Sequence, residues 1–101
     1  MPPIKNIKMG SKVKDFIIAN IEVFRTLSNE HRVNILFALF EKDRLWQDLV
    51  YDHRINPKSL RDHTNHLIER GYITKTRGRG FSITKKGRDL CELKFLVSVK
   101  R

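Results

Sequence analysis

The chain has 101 residues, of which 40% are hydrophobic, so it fits one globular domain with a modest core and excludes a second domain. Its longest uncharged apolar run, residues 33–40, is too short to cross a bilayer, and its lone cysteine excludes an internal disulfide framework. The net charge is +10, with ten basic and two acidic residues in 54–88, which indicates a polyanionic partner, nucleic acid first and anionic membrane second. A solubilising surface is the alternative explanation of that charge.

Residues 1–12 are predicted to form a flexible basic tail, and residues 13–101 a single domain. The tail carries lysines without the continuous apolar segment of a secretory signal, so we expect a cytoplasmic protein. Apolar residues then recur with a period near 3.6 from Val13 to Leu27, which predicts a first helix.

Two more helices are expected next. Ser28 is a good N-cap for a second helix that runs to Lys42, and its apolar residues leave little polar face, so we expect it to be the central buried helix. A short third helix is predicted around Trp46, with Asp43 or Arg44 near its start.

The fourth helix has strong boundary signals. After a brief turn at residues 53–55, Asn56 is followed by proline, which predicts an N-cap with proline at the first helical position. The helix is predicted over residues 57–70, and Gly71 fits a left-handed C-terminal cap.

A β-hairpin follows. Two β-friendly runs, residues 72–76 and 81–84, flank the loop Arg77-Gly78-Arg79-Gly80, and we expect positive backbone angles at both glycines. Turn chemistry does not require the two arginines, so they point to an anionic partner.

The last predicted helix begins after Thr84 and contains Leu90, Leu93 and Val97. The expected fold is therefore mainly α with a small β-hairpin, in the order α-α-α-α-β-β-α. A short helix, a tight turn and a second helix form a helix-turn-helix, and the hairpin would be its wing.

Three stretches carry a more specific pattern, and they read FRTLSNEHRVNILFALFE, PKSLRDHTNHLIERGYI and FSITKKGRDL. Together they lie within residues 24–93 and resemble the winged helix-turn-helix regulators of the ArsR and MarR type from archaea and bacteria. Thr64 departs from the family pattern, which usually has leucine there. The positions in step with the family are Leu27, Ser28, Arg32, Ile35, Leu36, His63, Leu67, Gly71, Ile73, Ile83, Thr84, Gly87 and Leu90. The resemblance implies a DNA-binding transcriptional regulator.

In that interpretation helix 57–70 enters the major groove and the wing, residues 75–80, lies on the minor groove or the backbone. Arg61 suits guanine and Asn65 suits adenine. The predicted DNA contacts are Lys58, Ser59, Arg61, Asp62, Asn65 and His66 on the helix, Lys75, Arg77 and Arg79 on the wing, and Lys85 and Lys86 on the last helix.

The terminal helices carry more apolar surface than a small core needs, which predicts a homodimer that reads a near-palindrome. The expected interface residues are Phe16, Ile17, Ile21, Leu93, Leu96 and Val97.

Other functions have less behind them. His63 and His66 have a spacing that can hold a metal, but two ligands do not make a site, and we expect neither a metal nor another cofactor. Cys91 is either a redox-active thiol or a buried one. No catalytic grouping stands out, so we expect no enzyme. A winged-helix protein-interaction module in transcription or replication machinery is the alternative function.

Overall fold

The computed structural model describes the backbone of residues 3–96 and the side chains of residues 10–96. This part of the chain is mainly helical with a small antiparallel sheet, as expected from the sequence. The elements in chain order are α1 (Pro3–Ala19), α2 (Ile21–Leu27), α3 (Glu30–Glu41), β1 (Arg44–Leu45), α4 (Trp46–Asp52), α5 (Pro57–Glu69), β2 (Ile73–Thr76), β3 (Gly80–Ile83) and α6 (Lys85–Cys91).

The first predicted helix is two helices. α1 begins at Pro3, so residues 3–12, which were expected to belong to a tail, are helical. The break lies at Asn20, whose side-chain amide donates a 2.8 Å hydrogen bond to the carbonyl of Phe16. Asparagine favours such local side-chain bonds to the backbone, which makes it a common residue at helix boundaries.

The central helix is α3, as predicted, and it buries Ile35, Leu36, Ala38 and Leu39. Its N-cap was predicted wrongly as Ser28. Asn29 is the cap, since its side chain accepts a 3.1 Å hydrogen bond from the N–H of Arg32. The Ser28 hydroxyl instead donates to the carbonyl of Arg25 at the end of α2.

A short strand, β1, precedes α4 and was not expected. Arg44 lies two residues before the start of α4, near the helix start as predicted, and it also pairs with Phe81 of β3, while Leu45 pairs with Gly80. The Arg44 guanidinium donates to the carbonyl of Ala38 at 3.0 Å and pairs with Glu41, which holds the strand at the end of α3. The sheet order is β1-β3-β2.

Both caps of α5 match the prediction. The Asn56 side chain accepts hydrogen bonds from the N–H groups of Lys58 and Ser59, at 2.9 and 3.4 Å. At the other end Gly71 has a φ of +79°, and the N–H of Tyr72 donates to the carbonyl of Leu67 at 2.9 Å. This Schellman cap fixes where the hairpin begins relative to α5.

One of the two loop glycines, Gly80, has a different role from the expected one. Gly78 has a φ of +66°, as predicted, but the second positive angle is at Arg79, also +66°, and not at Gly80. Gly80 is needed for close packing, because a Cβ there would collide with the hydroxyl of Thr76 and approach Leu45. The loop therefore holds Arg79 in a strained conformation.

α6 is capped by Thr84, whose side chain accepts a 3.1 Å hydrogen bond from the N–H of Gly87. The helix ends earlier than predicted, at Cys91. Leu93 lies beyond it with a φ of +57°, which interrupts the helical path. Val97 lies outside the described residues.

One apolar core joins these elements. It centres on α3 and is completed from α4, α5, the sheet, α6 and the segments that flank α5 by Leu49, Ile55, Leu60, Leu67, Tyr72, Ile73, Phe81, Ile83 and Leu90. Phe81 and Ile83 face inward, as predicted, and fix the hairpin to the body of the protein. Among the described residues, no helix is both long and apolar enough to cross a membrane.

Candidate nucleic-acid interface

A groove of about 390 Å³ runs between α5 and the β2–β3 hairpin. One wall comes from α5, the other from the hairpin, and the start of α4 contributes to the lining. The lining residues are Trp46, Arg61, Thr64, Asn65, Lys75, Thr76, Arg79, Gly80 and Phe81.

The groove is positively charged. Arg61, Lys75 and Arg79 line it together with no acidic residue. Within residues 10–96 none of these three side chains forms a salt bridge, although elsewhere the surface pairs many of its charges. Three exposed cations without counter-charges make this groove a favourable place for an anion.

The hairpin tip is held in place by its main chain. The N–H of Trp46 donates a 2.8 Å hydrogen bond to the carbonyl of Arg79, next to the pairing of β1 with β3. The Trp46 and Phe81 rings lie 6.4 Å apart between centroids. The cations on the hairpin therefore stand on a loop that is tied to the start of α4.

The groove face of α5 has a simple origin. Arg61, Thr64 and Asn65 lie three and four residues apart and share one side of the helix. Thr64 is buried, and its hydroxyl donates a 2.8 Å hydrogen bond to the carbonyl of Leu60, so this polar group is satisfied within the helix. Arg61 and Asn65 remain exposed.

The structure brings together four of the residues predicted to contact DNA, namely Arg61, Asn65, Lys75 and Arg79. Arg77 is exposed at the hairpin tip beside them. Three further residues predicted to contact DNA lie in the first half of α5, outside the groove wall but on or near the exposed side of the helix. They are Lys58, Ser59 and Asp62.

His66 is not part of this face. At 100° per residue it points about 140° away from Arg61, and its Nε2 forms a 2.9 Å hydrogen bond with the hydroxyl of Thr26 on α2. The prediction that His66 contacts DNA is therefore not supported by its position, because α2 covers this side chain.

Lys85 and Lys86 also lie away from the groove and are engaged locally. Lys85 pairs with Asp89 at 3.1 Å. Lys86 donates a 2.6 Å hydrogen bond to the carbonyl of Arg70 and lies 4.8 Å from the centre of the Tyr72 ring. Its ammonium group stabilises the C-terminal end of α5, where helix carbonyls lack partners.

Trp46 is the groove residue that the sequence analysis missed. It was read only as an apolar marker of a short helix. The usable signal was local: the only tryptophan of the chain directly follows Arg44 and Leu45, and a large amphipathic ring there indicates a half-exposed position.

The expected dimer residues divide into two groups. Phe16 is half-buried and stacks on Phe95 with 6.3 Å between ring centroids, so it joins α1 to the segment after α6 within one chain. Four others are exposed in the monomer, Ile17 by 41%, Ile21 by 42%, Leu93 by 47% and Leu96 by 38%. We refer to these four uncovered side chains as the apolar strip.

Metal and thiol chemistry receive little support from the geometry. Within the described residues no three His, Cys, Asp or Glu side chains are grouped as metal ligands would be. His63 accepts a 3.3 Å hydrogen bond from Arg32 instead. Burial raises the pKa of the Cys91 thiol to about 11, which favours an unreactive thiol over a redox sensor.

Comparison of the sequence with protein-family models and with curated proteins gave no match.

Proposed function

We propose that this protein is a sequence-specific, double-stranded-DNA-binding transcriptional regulator of the winged helix-turn-helix kind, acting in the cytoplasm. In this proposal α4 and α5 form the helix-turn-helix, α5 enters the major groove, and the hairpin is the wing. The observation that carries the proposal is the groove that Arg61, Lys75 and Arg79 line together with no acidic residue among its lining.

The two walls of the groove have different tasks. Arg61 and Asn65 are exposed on a helix and offer the bidentate donors and acceptors that read guanine and adenine edges. Lys75, Arg77 and Arg79 stand on a narrow hairpin, whose shape suits a phosphate backbone or a minor groove. The α5 wall therefore supplies sequence preference, and the hairpin supplies affinity.

We propose that the regulator is a homodimer. The support is the uncovered apolar strip formed by Ile17, Ile21, Leu93 and Leu96, which a second copy of the chain would bury. Two copies of α5 would then read half-sites about 34 Å apart.

The test is a pair of charge-reversal variants with equal changes in net charge. Lys75→Glu with Arg79→Glu alters the groove, and Lys12→Glu with Lys14→Glu alters exposed lysines on α1. Binding to a labelled duplex by fluorescence anisotropy should fall at least about tenfold further for the groove pair than for the α1 pair, because only the groove pair contacts phosphates.

Equal losses in the two variants would show that only net charge matters and would overturn the groove assignment. If the native protein fails to bind duplex DNA at low salt, the protein-interaction module becomes the better account. Three cations without salt-bridge partners line this one groove, which favours DNA over the protein-interaction module. A groove that docks a protein gains little from unpaired charge.

A further inference from the structure

The face of α5 opposite the groove is held against α2 and α3 by three side-chain contacts. Nδ1 of His63 accepts a 3.3 Å hydrogen bond from Nε of Arg32 on α3. His66 bonds to Thr26 at 2.9 Å, and Arg70 donates two hydrogen bonds, of 3.2 and 3.0 Å, to Glu22 on α2. These three positions follow a spacing of three and four residues and form what we term the anchoring face.

The contact of His63 requires an unprotonated ring nitrogen. A guanidinium group is a donor only, so Nδ1 of His63 must offer a lone pair and the imidazole must be neutral. A proton on Nδ1 would abolish the hydrogen bond and place a second positive charge against Arg32. The groups that face His63 are Arg32 and His31 on α3 and its own neighbour Asp62; burial and then the two basic groups lower the pKa of His63, which Asp62 opposes.

His66 responds in the same direction for a different reason. A protonated ring can still donate to the Thr26 hydroxyl, which is fully buried, but the charge would be partly desolvated. Burial lowers the pKa of His66 first, followed by Arg32 and Arg70, while Glu22 and Glu69 act in the opposite sense.

We propose that the contacts of the anchoring face depend on pH: protonation of His63 and His66 weakens them and loosens α5 from α2 and α3. The closed state lowers the pKa of both imidazoles, so below pH 6.5, their ordinary pKa, the opened state binds more protons. The contacts of the anchoring face are at full strength above this pH and weaken as the pH falls below it.

The consequence for DNA rests on the proposed function. α5 carries Arg61 and Asn65 on its other side, so a loosened helix would present these side chains in less defined positions. Sequence preference should therefore decline with acidification, while affinity for random duplex is maintained by the added positive charge. The protein would release a preferred site in favour of non-specific DNA.

The test is amide hydrogen exchange of the free protein at pH 7.5 and pH 5.0, with each rate divided by the intrinsic rate at that pH. Exchange of the α5 amides should be faster at low pH. If the pKa of one histidine is one unit lower in the closed state than in the opened state, that histidine should contribute about a tenfold increase. No DNA is present, so the experiment stands even if the DNA proposal fails.

Variants separate a proton switch from a structural contact. His63→Gln with His66→Gln keeps acceptors but cannot titrate, so its ratio of α5 exchange between the two pH values should approach one. Glu22→Gln weakens the third contact and should raise exchange at both pH values. Its ratio should be at least as large as the native one, because the carboxylate no longer opposes the lowered pKa of His66. His53→Gln, at the end of α4, should retain the full native ratio.

Each variant is judged by its own ratio, so a general loss of stability does not obscure the result. A native ratio near one, or an unchanged ratio in the double variant, would overturn the proposal. An NMR titration of the native protein provides a second check, since both imidazoles should titrate at lower pH than in the urea-unfolded chain. Equal values in the two states would also refute it.

Discussion

The main-chain N–H of Trp46 donates a 2.8 Å hydrogen bond to the carbonyl oxygen of Arg79, and so ties the start of α4 to the tip of the hairpin. Both side chains line the groove beside α5. The bond connects the two parts of the chain that the proposed DNA interface needs, and it makes the tryptophan an internal reporter of that interface.

Because Trp46 is the only tryptophan, its fluorescence reports on the groove alone. Saturating duplex DNA should change the intensity or wavelength of the Trp46 emission, and high salt should reverse the change because the DNA dissociates from the protein. Trp46→Phe should lose this signal while still binding labelled duplex by anisotropy. Constant emission from a native protein that anisotropy shows to be bound would place the DNA elsewhere.

The two walls of the groove should respond differently to mutation. Arg61→Ala is expected to relax sequence preference by about 1–3 kcal/mol at one base position, since a bidentate contact with guanine is lost. Arg77→Ala with Arg79→Ala should weaken preferred and random duplexes alike. The measurement is the affinity of each variant for a selected site and for random DNA; equal effects of both changes on both duplexes would disprove the division of roles.

The apolar strip can be tested through oligomeric state. Ile17→Lys places a charge in the strip and should convert a dimer into a monomer, seen as a halved mass by light scattering. Tyr51→Lys is the matched control, because Tyr51 is 77% exposed on α4 and lies outside the strip. A native protein that is monomeric at all concentrations would contradict the dimer.

Two glycines should have opposite effects on stability when replaced by alanine. A Cβ at Gly87 would collide with the carbonyl oxygen of Tyr72 and with Ile83, so Gly87→Ala should destabilise the fold by about 1–3 kcal/mol. Gly10 lies in α1 with nothing within 4 Å, so Gly10→Ala should stabilise by up to about 1 kcal/mol. Urea unfolding measures the free energy of unfolding of both variants. An unchanged value for Gly87→Ala would show that α6 packs less closely against Tyr72 and Ile83 than the structure indicates.

The thiol of Cys91 should react slowly. Its pKa of about 11 leaves a small thiolate fraction at pH 8, so alkylation should be about 100-fold slower than in the urea-unfolded chain, where the ordinary value of 9.0 applies. Raising the pH towards 11 should accelerate the native reaction. A native rate equal to the unfolded rate would reopen redox sensing at this residue.

The sequence predicted α5 well because its signals are local. Asn56 before a proline and Gly71 after the last turn act through bonds within a few residues, and both caps form as expected. The Phe81 and Ile83 alternation likewise fixed the inner side of the hairpin.

The missed features depend on contacts between distant parts of the chain. β1 has two residues and no periodicity of its own, and it exists because β3 pairs with it. His66 looked outward on a helical projection, but α2 covers that side through Thr26. The groove itself is a product of tertiary structure, since Trp46 and Arg79 meet only after the sheet forms.

The central claim is that the groove holds a DNA backbone, and the most direct test is the salt dependence of binding to random-sequence duplex. The logarithm of affinity should fall with the logarithm of salt concentration at a slope of about −0.9 for each phosphate neutralised. We expect a steep slope that corresponds to several phosphates per chain and becomes shallower in Lys75→Glu with Arg79→Glu. A flat slope, or no binding at low salt, would contradict it.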